Sequence, residues 1–272
     1  MEPRVLFKYG SWRSSKTKEN IRNCSVFFCS PDKTNDPFEA RVFANYEAVP
    51  YDFMRQFALR NPNLIGNIVD ELGRRGRNVS KEQVLEFTRT REGEAALREA
   101  LRGGADEGIV RQRNRSIGIL ALTPIRDSVL MWSHYSDNHK GFCIGYSVPV
   151  LSEAFRNVST QDRAIQIRHV RYSGYPDLKA FAPQSLDWAI DQFATKASEW
   201  SYEQEIRFLM FGKSNEVVPI PSGSILEVIF GYWSTDVDKR EIRESMERIG
   251  AKPGYLKVTL KQRQFGLDIE RI

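Results

Sequence analysis

Apolar residues along this chain fall into short runs set between polar turns, and the runs have two different spacings. Residues 4–9, RVLFKY, alternate and predict a short strand. SSKTKENIRN follows as a turn and a short helix, and CSVFFCS, 24–30, predicts a buried strand. That strand ends at PDKTNDPFEA, where Pro31 and Pro37 mark turns. Further strands are predicted at SIGILALTP (116–124), GFCIGYSV (141–148), IQIRHVRYS (165–173) and ILEVIFGYW (225–233). SYEQEIRFLMF, 201–211, starts polar and becomes a strand, and YLKVTLKQRQFGLDIERI supplies one or two more at the end.

Helical spacing governs the rest. Phe53, Phe57, Leu64, Ile68 and Leu72 recur at roughly helical intervals, with Pro62 as a break. SKEQVLEFTRTREGEAALREALRG predicts a second helix with a charged outer face and Ser80 as its cap. DSVLMWSHYSD reads as a short helix or turn, SLDWAIDQFATKASEW (185–200) as a helix, and DVDKREIRESMERIG as an amphipathic helix stopped at Gly250. These elements predict an α+β fold, one domain over residues 1–272. Its core is a mixed or antiparallel sheet, and a helical insertion or lid spans about 51–115.

Composition adds bounds. With 272 residues and 41% hydrophobic content the chain can bury a substantial core, and 16 Phe, 10 Tyr and 5 Trp exclude a disordered composition. Forty Lys+Arg against 35 Asp+Glu give a net charge of +5, which permits an anionic partner without requiring one. Cys24, Cys29 and Cys143 form no CxxC pair, so a reducing compartment fits best. The N-terminus lacks a signal peptide's apolar stretch, and no apolar run is long enough to span a membrane. A soluble cytoplasmic protein is expected.

Three segments hold candidate chemistry. In WSYEQEIRF, 200–208, strand spacing sets Glu203, Glu205 and Arg207 on one face. Paired carboxylates there suit acid–base work, and a solvated strand edge with a Glu–Arg pair is the plainer reading. MWSHYSDNHK offers His134 as an acid or base, with Trp132 and Tyr135 as ring-stacking surfaces. The plainer reading is a histidine bonded within a turn beside core aromatics. His134 and His139 are badly spaced for a shared helix face, and no HExxH occurs, so no metal site is expected. FKYGS with SPDKTNDPFEA offers Lys8 for an anion, and Asn35 and Asp36 for a ribose hydroxyl. The alternatives are a strand-edge lysine and an Asx turn. GRRGRN, 73–78, is a basic loop suited to phosphates or to plain solvation of a helix terminus. No P-loop, GxGxxG or GxSxG is present.

Four stretches occur in order: LFKY (6–9), SPDKTNDPFE (30–39), LMWSHYSDNHKGFCIGY (130–146) and KASEWSYEQEIR (196–207). Together they resemble the bacterial domain-of-unknown-function family 2971, whose members show an LYKY-type strand, SPxxxNDPFE, LMWSHYAxxHKGFxIGF and KxxxWxYExExR. The order of pieces is also similar, at the level of fold, to ADP-ribosyltransferases. That likeness implies NAD or a related nucleotide as substrate, with Lys8 and Tyr9 near its pyrophosphate or ribose. It further implies Ser30 closing the second strand, Trp132 or Tyr135 on the nicotinamide, Arg207 beside the acids, and Glu205 assisted by Glu203 at an oxocarbenium-like transition state. A protein or nucleic-acid acceptor, and a role as a toxin or phage-defence effector, would follow. Lys8 stands where that fold places His or Arg, and ALTP (121–124) is at best a remnant of its STS motif. The alternatives are a non-catalytic sensor binding a nucleotide or peptide, and a metal-dependent nuclease using His134, Asp36 and Glu205.

Overall fold

Alternation along VLFKYG seats Leu6 and Phe7 on opposite faces of β1 (Val5–Gly10), and both faces are covered. The computed structural model describes residues 3–36, 51–52, 55–56, 66, 69, 80–103, 114–159, 164–174 and 193–272. The chain divides into two compact units, one of Met1–Glu39, Asn114–Gly174 and Phe193–Ile272, the other of Ala40–Arg113 and Tyr175–Gln192.

The first unit contains helix α1 (Ser15–Arg22), capped by Ser14, and strands β2 (Ser25–Phe28) and β3 (Ile117–Leu122). The second holds α2 (Lys81–Phe87) and α3 (Arg91–Gly103). Ser80 caps α2 through a capping box with Gln83, as its position suggested. The single helix expected across 80–103 is two. Thr88 closes the first, and Thr90 accepts from Gly93 N–H at 3.0 Å at the start of the second. Tyr51 bonds Thr88 O, and Glu94 pairs with Arg98 at 2.6 Å. Most of the helix expected around 51–72, and the GRRGRN loop, lie outside the described residues.

Returning to the first unit, α4 (Val129–Tyr135) leads to β4 (Phe142–Ser147), α5 (Val148–Val158), β5 (Ile165–His169), β6 (Arg171–Ser173) and β7 (Thr195–Ala197). Then come β8 (Ile206–Phe211), β9 (Glu216–Pro219), β10 (Ile225–Phe230), α6 (Asp236–Arg248), β11 (Gly254–Leu260) and β12 (Leu267–Arg271). Five strands form one sheet in the order β1-β4-β10-β11-β12. All its pairings are antiparallel except β10 with β11, which needs the α6 crossover. A second sheet runs β3-β8-β5, and β2 pairs with β9. β1 and β3 touch through one bridge, Phe7 to Thr123, with N–H···O distances of 2.7 and 2.9 Å.

Leu6, Ile144, Val228 and Phe230 pack from one face of the large sheet against Phe28, Leu120, Phe208 and Met210. On its other face Phe7, Tyr9, Cys143 and Ile229 meet Met131 and Trp132 of α4. Double-sided burial explains why FCIGYS reads as an unbroken run. The α+β class and the mixed sheet agree with the pattern.

Several details differ from expectation. SLDWAIDQFATKASEW is not helical where it is described. Residues 195–197 are β7, paired parallel with β6, and 198–203 form a 3-10 turn. Here strand pairing and the burial of Lys196 override helical spacing. The strand expected to reach 148 stops at Ser147, which caps α5 ahead of Pro149. β9, four residues ending at Pro219, forms where no strand was predicted. Among the described residues, no helix is long and apolar enough to cross a membrane.

Candidate functional site

A cavity of about 330 Å³ lies beside the Phe7–Thr123 bridge, and both of those residues line it. Phe7, Lys8 and Tyr9 come from β1, and Ala121, Leu122 and Thr123 from the end of β3. Lys33, Thr34 and Asn35 form the mouth, and Met131 and Tyr135 project from α4. Lys196, Glu203, Glu205 and Arg207 complete it.

The floor is a buried ionic network. Arg207 is 1% exposed and Glu205 7%. The guanidinium grips Glu205 with both arms, Nε to Oε1 at 3.0 Å and Nη2 to Oε2 at 2.9 Å, while Nη1 donates to Phe193 O at 2.6 Å. Lys196 donates to Glu203 at 2.6 Å, lies 3.6 Å from Glu205, and sits over the Trp200 ring at 4.6 Å. Burial alone would raise the Glu205 carboxyl. Arg207, then Lys196 and Lys8, overcome it and hold the carboxyl below its usual value. The sequence reading of a solvated strand edge therefore fails, because both acids are buried. Glu203 is not on the strand either. It ends the 3-10 turn, and Gln204 follows with φ 45°, so strand alternation begins only after it.

Lys8 is the cation left over. Its ammonium donates to Ala121 O at 3.2 Å and pairs with no carboxylate among the described residues. Burial lowers its pKa, opposed by nearby Cys29, Glu205 and Cys143. The wall thus carries three buried or part-buried cations, Lys8, Lys196 and Arg207, against two committed carboxylates, and exposed Lys33 stands at the mouth.

Tyr135 joins this network to the mouth. Its hydroxyl donates to Glu203 Oε1 and accepts from Asn35 Nδ2 at 2.7 Å. Burial, then the Glu203 bond, push its ionisation far above the ordinary tyrosine value, so it stays a donor.

Other expected residues are placed differently. Trp132 is fully buried, edge-on to Tyr9 at 5.1 Å, and its indole N–H donates to Arg126 O at 2.9 Å. It has no face left for a ligand, so the stacking expectation for it is withdrawn. Tyr9 lines the cavity, but its hydroxyl is spent on Ile125 O at 3.0 Å. His134 is exposed on α4 and is not on the cavity wall. Ser30 and Asp36 are buried outside the wall, and Ser30 Oγ bonds Asp32. The His134, Asp36 and Glu205 set required of a nuclease is therefore not brought together. Among the described residues, no group of three His, Cys, Asp or Glu is placed to hold a metal.

The DNHK stretch is a structural turn. Asp137, Asn138 and His139 all have left-handed φ, from 52° to 65°. Asp137 pairs with Arg13 at 3.0 Å, and His139 Nε2 meets Ser133 Oγ at 3.0 Å with its ring against Trp233. A Cβ on Gly141 would lie 2.1 Å from Gly10 O, which requires glycine there. Lys196, Lys33 and Thr34 escaped the sequence reading, although Lys196 opens one of the quoted motifs and Lys33 and Thr34 fall within another.

Residues 131–208 match the model of a family described as Protein of unknown function (DUF2971). That segment, which holds the MWSHYSDNHKGFCIGY and KASEWSYEQEIR motifs, is similar to the DUF2971 family, the family its motifs resemble. No curated protein and no solved structure matches the chain.

Proposed function

We propose that the cavity binds an anionic, nucleotide-type small molecule, and that the protein works as a binding module for it. The observation that carries this reading is Lys8. A half-buried ammonium that makes no close ion pair is costly, and an anionic ligand group reduces that cost. Glu205 offsets that cost only in part, since it acts on Lys8 from beyond ion-pair distance and both its oxygens are held by Arg207. The volume is at the lower end of the range for small-molecule sites. It suits a mononucleotide, or one half of a dinucleotide such as NAD with the remainder beyond the mouth.

A second reading keeps the ADP-ribosyltransferase or NAD glycohydrolase chemistry, and with it a toxin or defence role acting on a protein or nucleic-acid acceptor. Lys8, Tyr9, Tyr135, Glu203 and Glu205 line one cavity, which favours it. Its difficulty is electrostatic. An oxocarbenium-like centre needs an available carboxylate, and here cations outnumber acids. The two readings separate in one experiment. Purified protein is titrated calorimetrically with AMP, ADP-ribose and NAD, and nicotinamide release is followed by mass spectrometry beside Glu205→Gln. Binding without release supports the module. Release that vanishes in Glu205→Gln supports the transferase. Failure of every nucleotide to bind refutes both.

A further inference from the structure

We infer that Asn35 is a specificity-determining residue, selecting ligands that present an N–H donor, an exocyclic amine or carboxamide, at the cavity mouth. This rests on the nucleotide-binding reading. Lys196 has only donors, so Glu203 accepts from it at 2.6 Å. As the carboxylate of that ion pair, Glu203 also accepts on its other oxygen, and Tyr135 supplies the proton. A hydroxyl has one proton, so the Tyr135 oxygen is left to accept.

Asn35 must then turn its NH2 group toward Tyr135, and the 2.7 Å contact is made by Nδ2. The amide cannot flip without setting an acceptor against Tyr135, whose proton is committed elsewhere. Asn35 Oδ1 has no partner among the described residues, and the residue is exposed on the cavity lining. The outermost group of the chain is therefore a fixed acceptor. With a phosphate drawn to Lys8 inside, the base of a nucleotide lies toward this oxygen. Tyr135, Glu203 and Lys196 act through Asn35 as positioning residues.

AMP and purine riboside 5′-monophosphate test this. They share phosphate, ribose and an unprotonated N1 and differ only at the 6-position, an amino donor against hydrogen. Dissociation constants are measured by calorimetry for the wild type, Tyr135→Phe and Glu203→Gln. The wild type should prefer AMP by about tenfold, one neutral hydrogen bond. Tyr135→Phe releases the Asn35 amide and should bring the two ligands within about threefold. In Glu203→Gln, Lys196 still demands the side-chain oxygen, so the new NH2 faces Tyr135. The Tyr135 proton then turns to Asn35, the amide flips, and the preference for the 6-amino nucleotide should be lost. Tyr135→Phe keeps the inference testable if Glu203→Gln does not fold. Equal binding of AMP and purine riboside 5′-monophosphate by the wild type, or an unchanged preference in both variants, overturns the inference and leaves the binding reading standing. No binding of either nucleotide overturns both.

Discussion

Replacing Arg207 with Met keeps the volume of the site but strips Glu205 of its main counter-charge. Arg207 is 1% exposed and spends all three hydrogen-bonding nitrogens inside the protein. Lys196, at 3.6 Å from Glu205, replaces little of the bidentate grip. Breaking a buried pair by removing one partner costs about 3–5 kcal/mol, and the orphaned carboxylate sets that cost. Arg207→Met should therefore lose that much in urea denaturation at pH 7. Glu205→Gln in the same chain should restore about 2 kcal/mol or more, because no charge is left stranded. The variant's pH dependence has a definite sign. Without Arg207, burial dominates and raises the Glu205 carboxyl, so the folded state takes up a proton more readily than the unfolded chain. The deficit is then largest above the raised pKa and shrinks as pH falls through it. A loss below about 1 kcal/mol, or the same loss with Gln at 205, would refute the reasoning.

In the wild type the sign is opposite. Glu205 is held below its usual value when folded, so its stabilisation is present above the unfolded pKa and fades as pH falls through the folded one; Glu205→Gln should flatten the acid limb of a stability–pH profile. Trp132→Ala should cost about 3–5 kcal/mol, as befits a fully buried indole, while His134→Ala on the exposed face of α4 should stay within about 0.5 kcal/mol by thermal or urea melts. Gly141→Ala should destabilise by more than about 1 kcal/mol, since the added methyl meets Gly10 backbone at 2.1 Å; a melt indistinguishable from the wild type would contradict the close approach.

Most strands were legible because their burial is regular. FCIGYS is covered on both faces and VLFKYG alternates, and both patterns survive in one dimension. Helix starts at Ser14, Ser80 and Thr235 follow local side-chain caps and need no tertiary information. What failed depended on partners distant in sequence. TKASEW has helical spacing, yet β6 pairing and the pull of Glu203 on Lys196 decide its shape. The acidic motif looked like an exposed edge because nothing local shows that Arg207 is also engaged by Phe193 O. Trp132 and His134 stood next to Tyr135 in one polar segment, but a single helical turn sends the three to core, solvent and cavity.

The central claim is that Lys8 supplies the charge that an anionic ligand meets. Its most direct test is calorimetric titration of AMP and adenosine into the wild type and Lys8→Met, with thermal melts on both proteins. The account predicts that the wild type binds AMP at least about tenfold more tightly than adenosine. Lys8→Met should lose that difference while melting at the wild-type temperature or above, since a half-buried ammonium that makes no close ion pair has been removed. A Lys8→Met protein that is folded and still prefers AMP by the wild-type margin would contradict it.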